Sequence, residues 1–247
     1  MPDPHPSARS PTFLTTRWSL VLRAAGEMAQ QPEAREALES LCRSYWHPLY
    51  FFVRRQGHAP EAAEDLTQDF FALLLSRPVL AGADVEKGRF RTYLLAVLKH
   101  LLAQTRERES AGKRGGGATL VPLDALDAEA RYRLEPVDKQ SPEWLFDRRW
   151  ASTVMARATE RLREEYADVS REERFETLKE FLVSGRQDAT YAEAGAALGL
   201  TESALKSAVF KLRQRFSAAL RAEIAETVAS EAEVEDEIRH LAKVLCA

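Results

Sequence analysis

Six side chains near the C-terminal end of the chain have the types and spacing that suit DNA recognition. Residues 201–221 hold five Lys or Arg against a single acid, in a chain whose formal net charge is −3. Polar side chains near a helix N-terminus reach base edges in the major groove, whereas cations farther along contact phosphates. The candidates for these contacts are Ser203, Lys206, Ser207, Lys211, Arg213 and Arg215.

The element that must position these side chains is a helix-turn-helix over residues 189–216. Gly195 allows the first helix to approach the second, Gly199 allows the backbone of the turn to take a positive φ, and Thr201 caps the second helix. The inward-facing positions at helical spacing are Leu198, Leu205, Val209 and Leu212. A plain surface pair of helices with solvated lysines is the alternative for this segment.

Charge is segregated elsewhere in the chain as well. Residues 89–114 carry seven Lys or Arg against two acids, and residues 222–247 carry seven acids against two bases. The basic zone contains two aromatic residues, Phe90 and Tyr93, for which packing in a core is the alternative to a contact with bases. The acidic zone either masks the adjacent basic helix, binds a regulator or forms a solvated, partly helical tail.

The rest of the sequence predicts an all-α protein, because hydrophobic residues recur at helical spacing and strand-like alternation is hard to find. Helices are expected at about 32–56, 60–76, 90–108, 142–166 and 171–183, and Pro48 should kink or split the first. The Gly- and Pro-containing stretch 110–141 is expected to be a flexible linker between two helical domains. The predicted organisation is a disordered tail (1–11), two domains (12–109 and 142–221) and an acidic C-terminal extension (222–247).

Several function classes find no support in the sequence. Cys42 and Cys246 lie far apart without metal-ligand spacing, and no hydrophobic run approaches the length of a membrane span. We find no catalytic set of side chains, no nucleotide-binding loop and no metal cluster, so we expect neither an enzyme nor a cofactor. The composition predicts a soluble, cytoplasmic protein in a reducing compartment.

Four stretches, taken in order, resemble the extracytoplasmic-function sigma factors of bacterial RNA polymerase, which belong to the sigma-70 family. Residues 45–50 are similar to the Tyr-x-Pro-x-Leu-Tyr stretch of that family, and residues 64–71 to its Asp-Leu-x-Gln-Glu-x-Phe core. Residues 90–94 lie where the family has Phe-x-x-Trp-Leu, and the helix-turn-helix resembles its region four. The resemblance covers roughly residues 12–108 and 142–221. The chain departs from the family pattern at His100, Ser203-Ala204 and Ala208.

The resemblance implies that the chain binds core RNA polymerase and directs the recognition of a promoter. It implies that a polar, acidic helix face docks on the coiled coil of the largest polymerase subunit. The residues of that face are Glu61, Glu64, Asp65, Gln68 and Asp69. An ordinary solvated helix face is the alternative for these residues.

The resemblance also divides the DNA contacts between the two basic zones. The loop 77–89 and the helix that follows would hold the melted single strand of the minus-ten element, and the helix-turn-helix would bind the duplex minus-thirty-five element. The residues expected at the single strand are Arg89, Arg91, Lys99 and Arg106. An anti-sigma factor or another regulator is a further expected partner.

Two rival functions remain open from the sequence. The first is a stand-alone helix-turn-helix regulator that binds duplex DNA as a dimer, and the second is a helical adaptor for protein partners. The acidic segment 61–69 followed by the basic segment 89–108 distinguishes a sigma factor from these rivals, because a sigma factor needs both segments and a repressor needs neither.

Overall fold

The computed structural model describes residues 32–75, 89–110, 140–166, 169–183, 191–228 and 231–246, together with residues 129 and 132. Over these residues the chain is all-α, as predicted, with eight helices and no strand. They are α1 (Pro32–Arg55), α2 (Pro60–Leu75), α3 (Phe90–Ser110), α4 (Pro142–Glu164), α5 (Val169–Val183), α6 (Tyr191–Ala197), α7 (Glu202–Ala225) and α8 (Glu231–Cys246). The predicted tail 1–11, most of the loop 77–89 and most of the linker 110–141 lie outside the described residues.

Helix α1 continues through Pro48, so the alternative in which this proline splits the helix is wrong. A proline inside a helix removes one backbone hydrogen bond and costs about 3 kcal/mol. Tyr45, Leu49 and Phe52 flank Pro48 and are all at most 1% exposed. Burying side chains of this size contributes roughly 1.5–3 kcal/mol each, which is enough to offset the cost of the proline.

The buried side chains form two hydrophobic clusters. The larger cluster joins α1, α2 and α3 to Phe146, Trp150 and Val154 of α4, and it also includes Ile224 of α7 and Leu241 of α8. The smaller cluster joins the far end of α4 to α5, α6 and most of α7. The larger cluster therefore draws on both of the predicted domains and on the C-terminal extension.

Two described residues of the predicted linker contact α1. The Tyr50 hydroxyl donates to Glu129 Oε2 at 2.6 Å, and Arg54 Nε lies 2.9 Å from the same oxygen. The Arg54 guanidinium also lies over the Tyr132 ring, 4.4 Å from its centroid. At these two positions the chain is held against α1 by a carboxylate and an aromatic ring.

No helix among the described residues combines the length and the hydrophobicity that crossing a membrane requires.

Burial of Tyr45 makes the stability of the larger cluster sensitive to alkaline pH. Burial raises the pKa of Tyr45 above its usual value of 10.0, and the nearby Glu237 carboxylate raises it further, although Arg91 partly offsets the shift. The folded protein therefore favours the neutral phenol. The unfolded chain releases the proton near pH 10, so the contribution of Tyr45 to stability is present below that pH and is lost as pH rises.

We expect Tyr45→Phe to lose less stability than the wild type between pH 7 and pH 11, by about 1.4 kcal/mol at pH 11. The substitution removes the ionising hydroxyl and keeps the ring, which packs edge-on against Phe90 with centroids 5.4 Å apart. Urea unfolding at the two pH values measures the difference. An equal loss of stability at pH 11 in the two proteins would show that ionisation of Tyr45 does not cause it.

Candidate polymerase and nucleic-acid interfaces

A tight turn joins α6 to α7, and its geometry explains two glycines. Gly199 has a φ of +64°, which favours glycine. A Cβ atom on Gly195 would lie 2.9 Å from the Leu200 carbonyl oxygen, so a larger residue would push the backbone of the turn away. The Thr201 hydroxyl accepts a hydrogen bond from the Ala204 amide at 3.2 Å. The predictions for Gly195, Gly199 and Thr201 are confirmed.

Helix α7 has an apolar inner face and a polar outer face. Leu205, Val209 and Leu212 are buried as predicted, whereas Leu198 in the turn is only half-buried. The outer face contains the exposed side chains Ser203, Lys206, Ser207 and Lys211. The helix continues to Ala225, nine residues beyond the predicted end, because its last turns join the larger cluster.

Lys206 is the cation among the candidate base-reading side chains, Ser203, Lys206 and Ser207. Its side chain is 58% exposed, and its Nζ atom lies 2.6 Å from Glu202 Oε1 in the same helix. The hydrogen bond to Glu202 raises the pKa of Lys206. An exposed pair of this kind contributes little to stability, so a phosphate or a base edge can displace Glu202 at little cost.

Two of the predicted phosphate contacts also make contacts within the protein. Arg213 donates from Nε and Nη2 to the Phe181 carbonyl oxygen, at 3.1 and 2.8 Å, and so binds a carbonyl in the last turn of α5. Arg215 Nη1 lies 3.5 Å from Glu165 Oε2, just after the end of α4. Both arginines therefore connect α7 to neighbouring helices, which the sequence did not predict.

Sequence reasoning gave no role to Phe210, although it lies on the outer face of α7 and is 61% exposed. Its position in the sequence could have placed it on the same helix face as the candidate DNA contacts. Phe210 comes three residues after Ser207 and seven after Ser203, which is the spacing of residues on one face of a helix.

The predicted polymerase-docking residues lie together on one face of α2. Glu61, Asp65 and Asp69 are exposed, and Glu64 and Gln68 are half-buried, with Gln68 Nε2 donating to Glu64 Oε1 at 3.4 Å. The opposite face of α2 anchors the helix. Its buried side chains are Ala63, Leu66, Thr67, Phe70, Phe71 and Leu74.

The predicted single-strand residues at the start of α3 are not on an open surface. Phe90 is 1% exposed, so core packing is the correct alternative for this residue, and Tyr93 is half-buried. The Arg91 side chain is 8% exposed and lies 2.6 Å from Asp147 and 3.2 Å from Glu237. In this conformation Arg91 therefore does not line an accessible groove, because its guanidinium is paired with two carboxylates that belong to other helices.

The other three predicted single-strand residues also have polar partners. Arg89 Nε lies 2.8 Å from Glu237 Oε1, and Lys99 Nζ lies 2.8 Å from Glu143 Oε1. The hydrogen bond from Lys99 lowers the pKa of the Glu143 carboxyl. Arg106 donates to Gln56 Oε1 at 3.2 Å.

The acidic partners come from the second half of the chain. Sequence reasoning missed Glu143, Asp147 and Glu237 as individual residues, although the excess of acids in residues 222–247 was visible. For that segment the sequence predicts masking of the adjacent basic helix, binding of a regulator or a solvated, partly helical tail, and it does not predict a contact with Arg89 or Arg91. The structure places it in a packed helix, α8, whose Glu237 carboxylate bridges Arg89 and Arg91.

No cluster of three or more potential metal ligands occurs within the part of the chain that the structure describes. Comparison with protein-family models, with curated proteins and with solved structures gave no significant match.

Proposed function

We propose that this protein is a sigma subunit that binds core RNA polymerase and directs it to promoters. Its acidic α2 face docks on polymerase, and the basic segment 89–108 holds the melted strand. Helices α6 and α7 act as a helix-turn-helix at the duplex element. The two DNA-binding units correspond to residues 12–109 and 142–221, and the chemistry of polymerisation belongs to the partner. The observation that carries the proposal is the exposed acidic face of α2 in the same chain as the exposed cationic face of α7.

Three features support the docking role of α2. The acidic side chains share one face, the opposite face is anchored in the larger cluster, and Glu61, Asp65 and Asp69 are exposed. Charged side chains of this kind steer association and set orientation at a protein interface. A cationic surface on the partner is the complement that this face requires.

Two features support a major-groove role for α7. The N-terminal half of the helix presents Ser203, Lys206 and Ser207 on its exposed side, and α6 is held at its base by the close approach at Gly195. Helix-turn-helix proteins contact base edges with the N-terminal residues of the second helix. Lys211 lies farther along the helix, where phosphate contacts are expected.

The proposal is tested by mixing the purified chain with bacterial core polymerase and a library of genomic fragments. We expect a stable complex and run-off transcripts that start at a common sequence. A chain that shows no affinity for core polymerase, yet binds a symmetric duplex tightly by itself, would instead be the stand-alone regulator that the sequence left open.

Lys206→Ala tests the role of α7. We expect the change to weaken binding at the selected duplex element by about 1–3 kcal/mol and to relax selectivity at one base position, because Lys206 is exposed near the N-terminus of the helix. Lys243→Ala removes an equal charge from an exposed position of α8 and is the control. The measurement is a competition assay with duplexes that carry single-base changes.

A uniform loss of affinity across all duplexes would assign Lys206 to a phosphate rather than to a base edge. Unchanged binding by Lys206→Ala at every duplex would contradict the proposed role of α7.

A further inference from the structure

Helix α8 carries one charged residue on its buried face. Val234, Leu241 and Val244 are each about 4–5% exposed and recur at the spacing of one helix face. Glu237 lies in the middle of this apolar face and is 1% exposed. A buried carboxylate is costly unless it is paired, so its partners determine where α8 can pack.

The partners of Glu237 are two arginines at the start of α3, Arg89 just before the helix and Arg91 in its first turn. Its Oε1 atom lies 2.8 Å from Arg89 Nε, and its Oε2 atom lies 3.2 Å from Arg91 Nε. Arg89 and Arg91 precede Glu237 in the chain by more than 140 residues. The contact therefore joins the C-terminal segment to the part of the protein that is proposed to hold the melted strand.

Helix α4 also contacts Arg91. Asp147 Oδ1 lies 2.6 Å from Arg91 Nη1, and the Arg91 guanidinium lies over the Trp150 ring, 5.0 Å from its centroid. His240 of α8 lies 3.1 Å from the other oxygen of Asp147. Three side chains of α4 and α8 thus contact the guanidinium of Arg91, whose side chain is 8% exposed, and His240 pairs with one of them.

We infer that α8 is an intramolecular clasp in which Glu237 occupies the place of a DNA phosphate at Arg89 and Arg91, so that the free chain is held in a closed form. This inference rests on the proposed function and names how the single-strand site is regulated. A phosphate and the Glu237 carboxylate compete for the same two guanidinium groups, because each is an anion that arginine binds through paired donors.

The clasp leaves the docking face of α2 open. Asp65 and Asp69 are exposed while Arg91 is buried, so core polymerase can bind the closed form before the single-strand site is released. The apparent Kd of the free chain for a single strand is its intrinsic Kd divided by the fraction of open molecules. Weakening the clasp should therefore strengthen binding to DNA even though no residue of the DNA site is changed.

The test compares three full-length chains: the wild type, Glu237→Gln and the matched control Asp236→Asn. Asp236 is the preceding residue, is exposed and pairs with Arg239 of its own helix, so both variants remove one negative charge. Hydrogen exchange of residues 231–246 reports opening of the clasp. Fluorescence anisotropy with a labelled single-stranded oligodeoxynucleotide of mixed sequence reports access to the arginines.

We expect Glu237→Gln to exchange faster across α8 and to bind the strand about tenfold more tightly, with Asp236→Asn equal to the wild type. Unchanged exchange and affinity in Glu237→Gln would overturn the clasp. Faster exchange with no gain in affinity would overturn it too, because the clasp would then cover no DNA-binding surface. Equal gains in affinity for Glu237→Gln and Asp236→Asn would show that net charge alone causes the effect, and they would likewise overturn the clasp.

Circular dichroism verifies that each variant is folded. If Glu237→Gln is unfolded, Asp147→Asn takes its place with the same expected changes, since the Asp147 side chain is 23% exposed and loses its charge at lower cost. Binding of the chain to core polymerase is measured separately. Tighter strand binding without polymerase binding would retain the clasp and reject the proposed sigma function, whereas polymerase-dependent initiation with none of the expected changes would reject the clasp alone.

Discussion

Asp65→Arg is expected to abolish the binding of core RNA polymerase, with a loss of at least about 100-fold in affinity. Asp65 is exposed in the middle of the acidic face of α2, between the positions of Glu61 and Asp69. Reversing its charge places a cation against the cationic surface that this face requires, and opposed like charges at an interface cost several kcal/mol. Co-purification with core polymerase and run-off transcription both measure the effect.

Glu164→Arg is the matched control for this charge reversal. Glu164 is an exposed acid at the end of α4, which packs with the smaller cluster whereas α2 packs with the larger one, and the substitution changes the net charge by the same amount. Both variants should fold, because substitutions at exposed sites usually change stability by less than about 0.5 kcal/mol. Full transcription by Asp65→Arg, or an equal loss of polymerase binding in Glu164→Arg, would show that α2 is not part of the interface.

Gly195→Val is expected to give the largest loss of stability and, with it, the loss of duplex binding. A Cβ atom at this position meets the Leu200 carbonyl oxygen at 2.9 Å, and the obstacle is backbone rather than a side chain that can rotate away. Overpacking of this kind costs about 1–3 kcal/mol, and a branched side chain adds further atoms to the clash. The measurement is thermal unfolding together with duplex binding.

Ala196→Val provides the comparison, since Ala196 is the next residue in α6 and is exposed. It introduces the same side chain into the same helix without the contact to Leu200. A Gly195→Val protein as stable as Ala196→Val would show that α6 and α7 can move apart without cost.

The local features of this protein were predictable because each depends on neighbours in the sequence. The positive φ at Gly199, the cap at Thr201 and the inward faces of α2 and α7 follow from residue type and helical spacing. The acidic face of α2 was predicted as a continuous surface for the same reason, and its residues do lie together. What that surface binds stays a prediction.

The contacts between distant helices were not predictable. The sequence predicts that Arg91 contacts a melted single strand, yet the position of this residue depends on Asp147 and Glu237, which follow it by 56 and 146 residues. Helical spacing places Glu237 on the apolar face of α8, and a lone acid on such a face was the available signal. Spacing alone does not identify the arginines that neutralise it.

Under the proposed function, the course of α4 through both hydrophobic clusters links the geometry of a promoter to the energy of binding it. Phe146 and Trp150 pack with the first cluster, and Ala158 and Leu162 of the same helix pack with the second. The surfaces proposed to hold the melted strand and to bind the duplex can change their separation only if Phe146 and Trp150 leave the larger cluster or the helix bends. Exposing two aromatic side chains of this size costs roughly 3–6 kcal/mol. An extended arrangement on a promoter would therefore have to be sustained by the combined affinity of polymerase and DNA, and the unbound chain would return to its compact form.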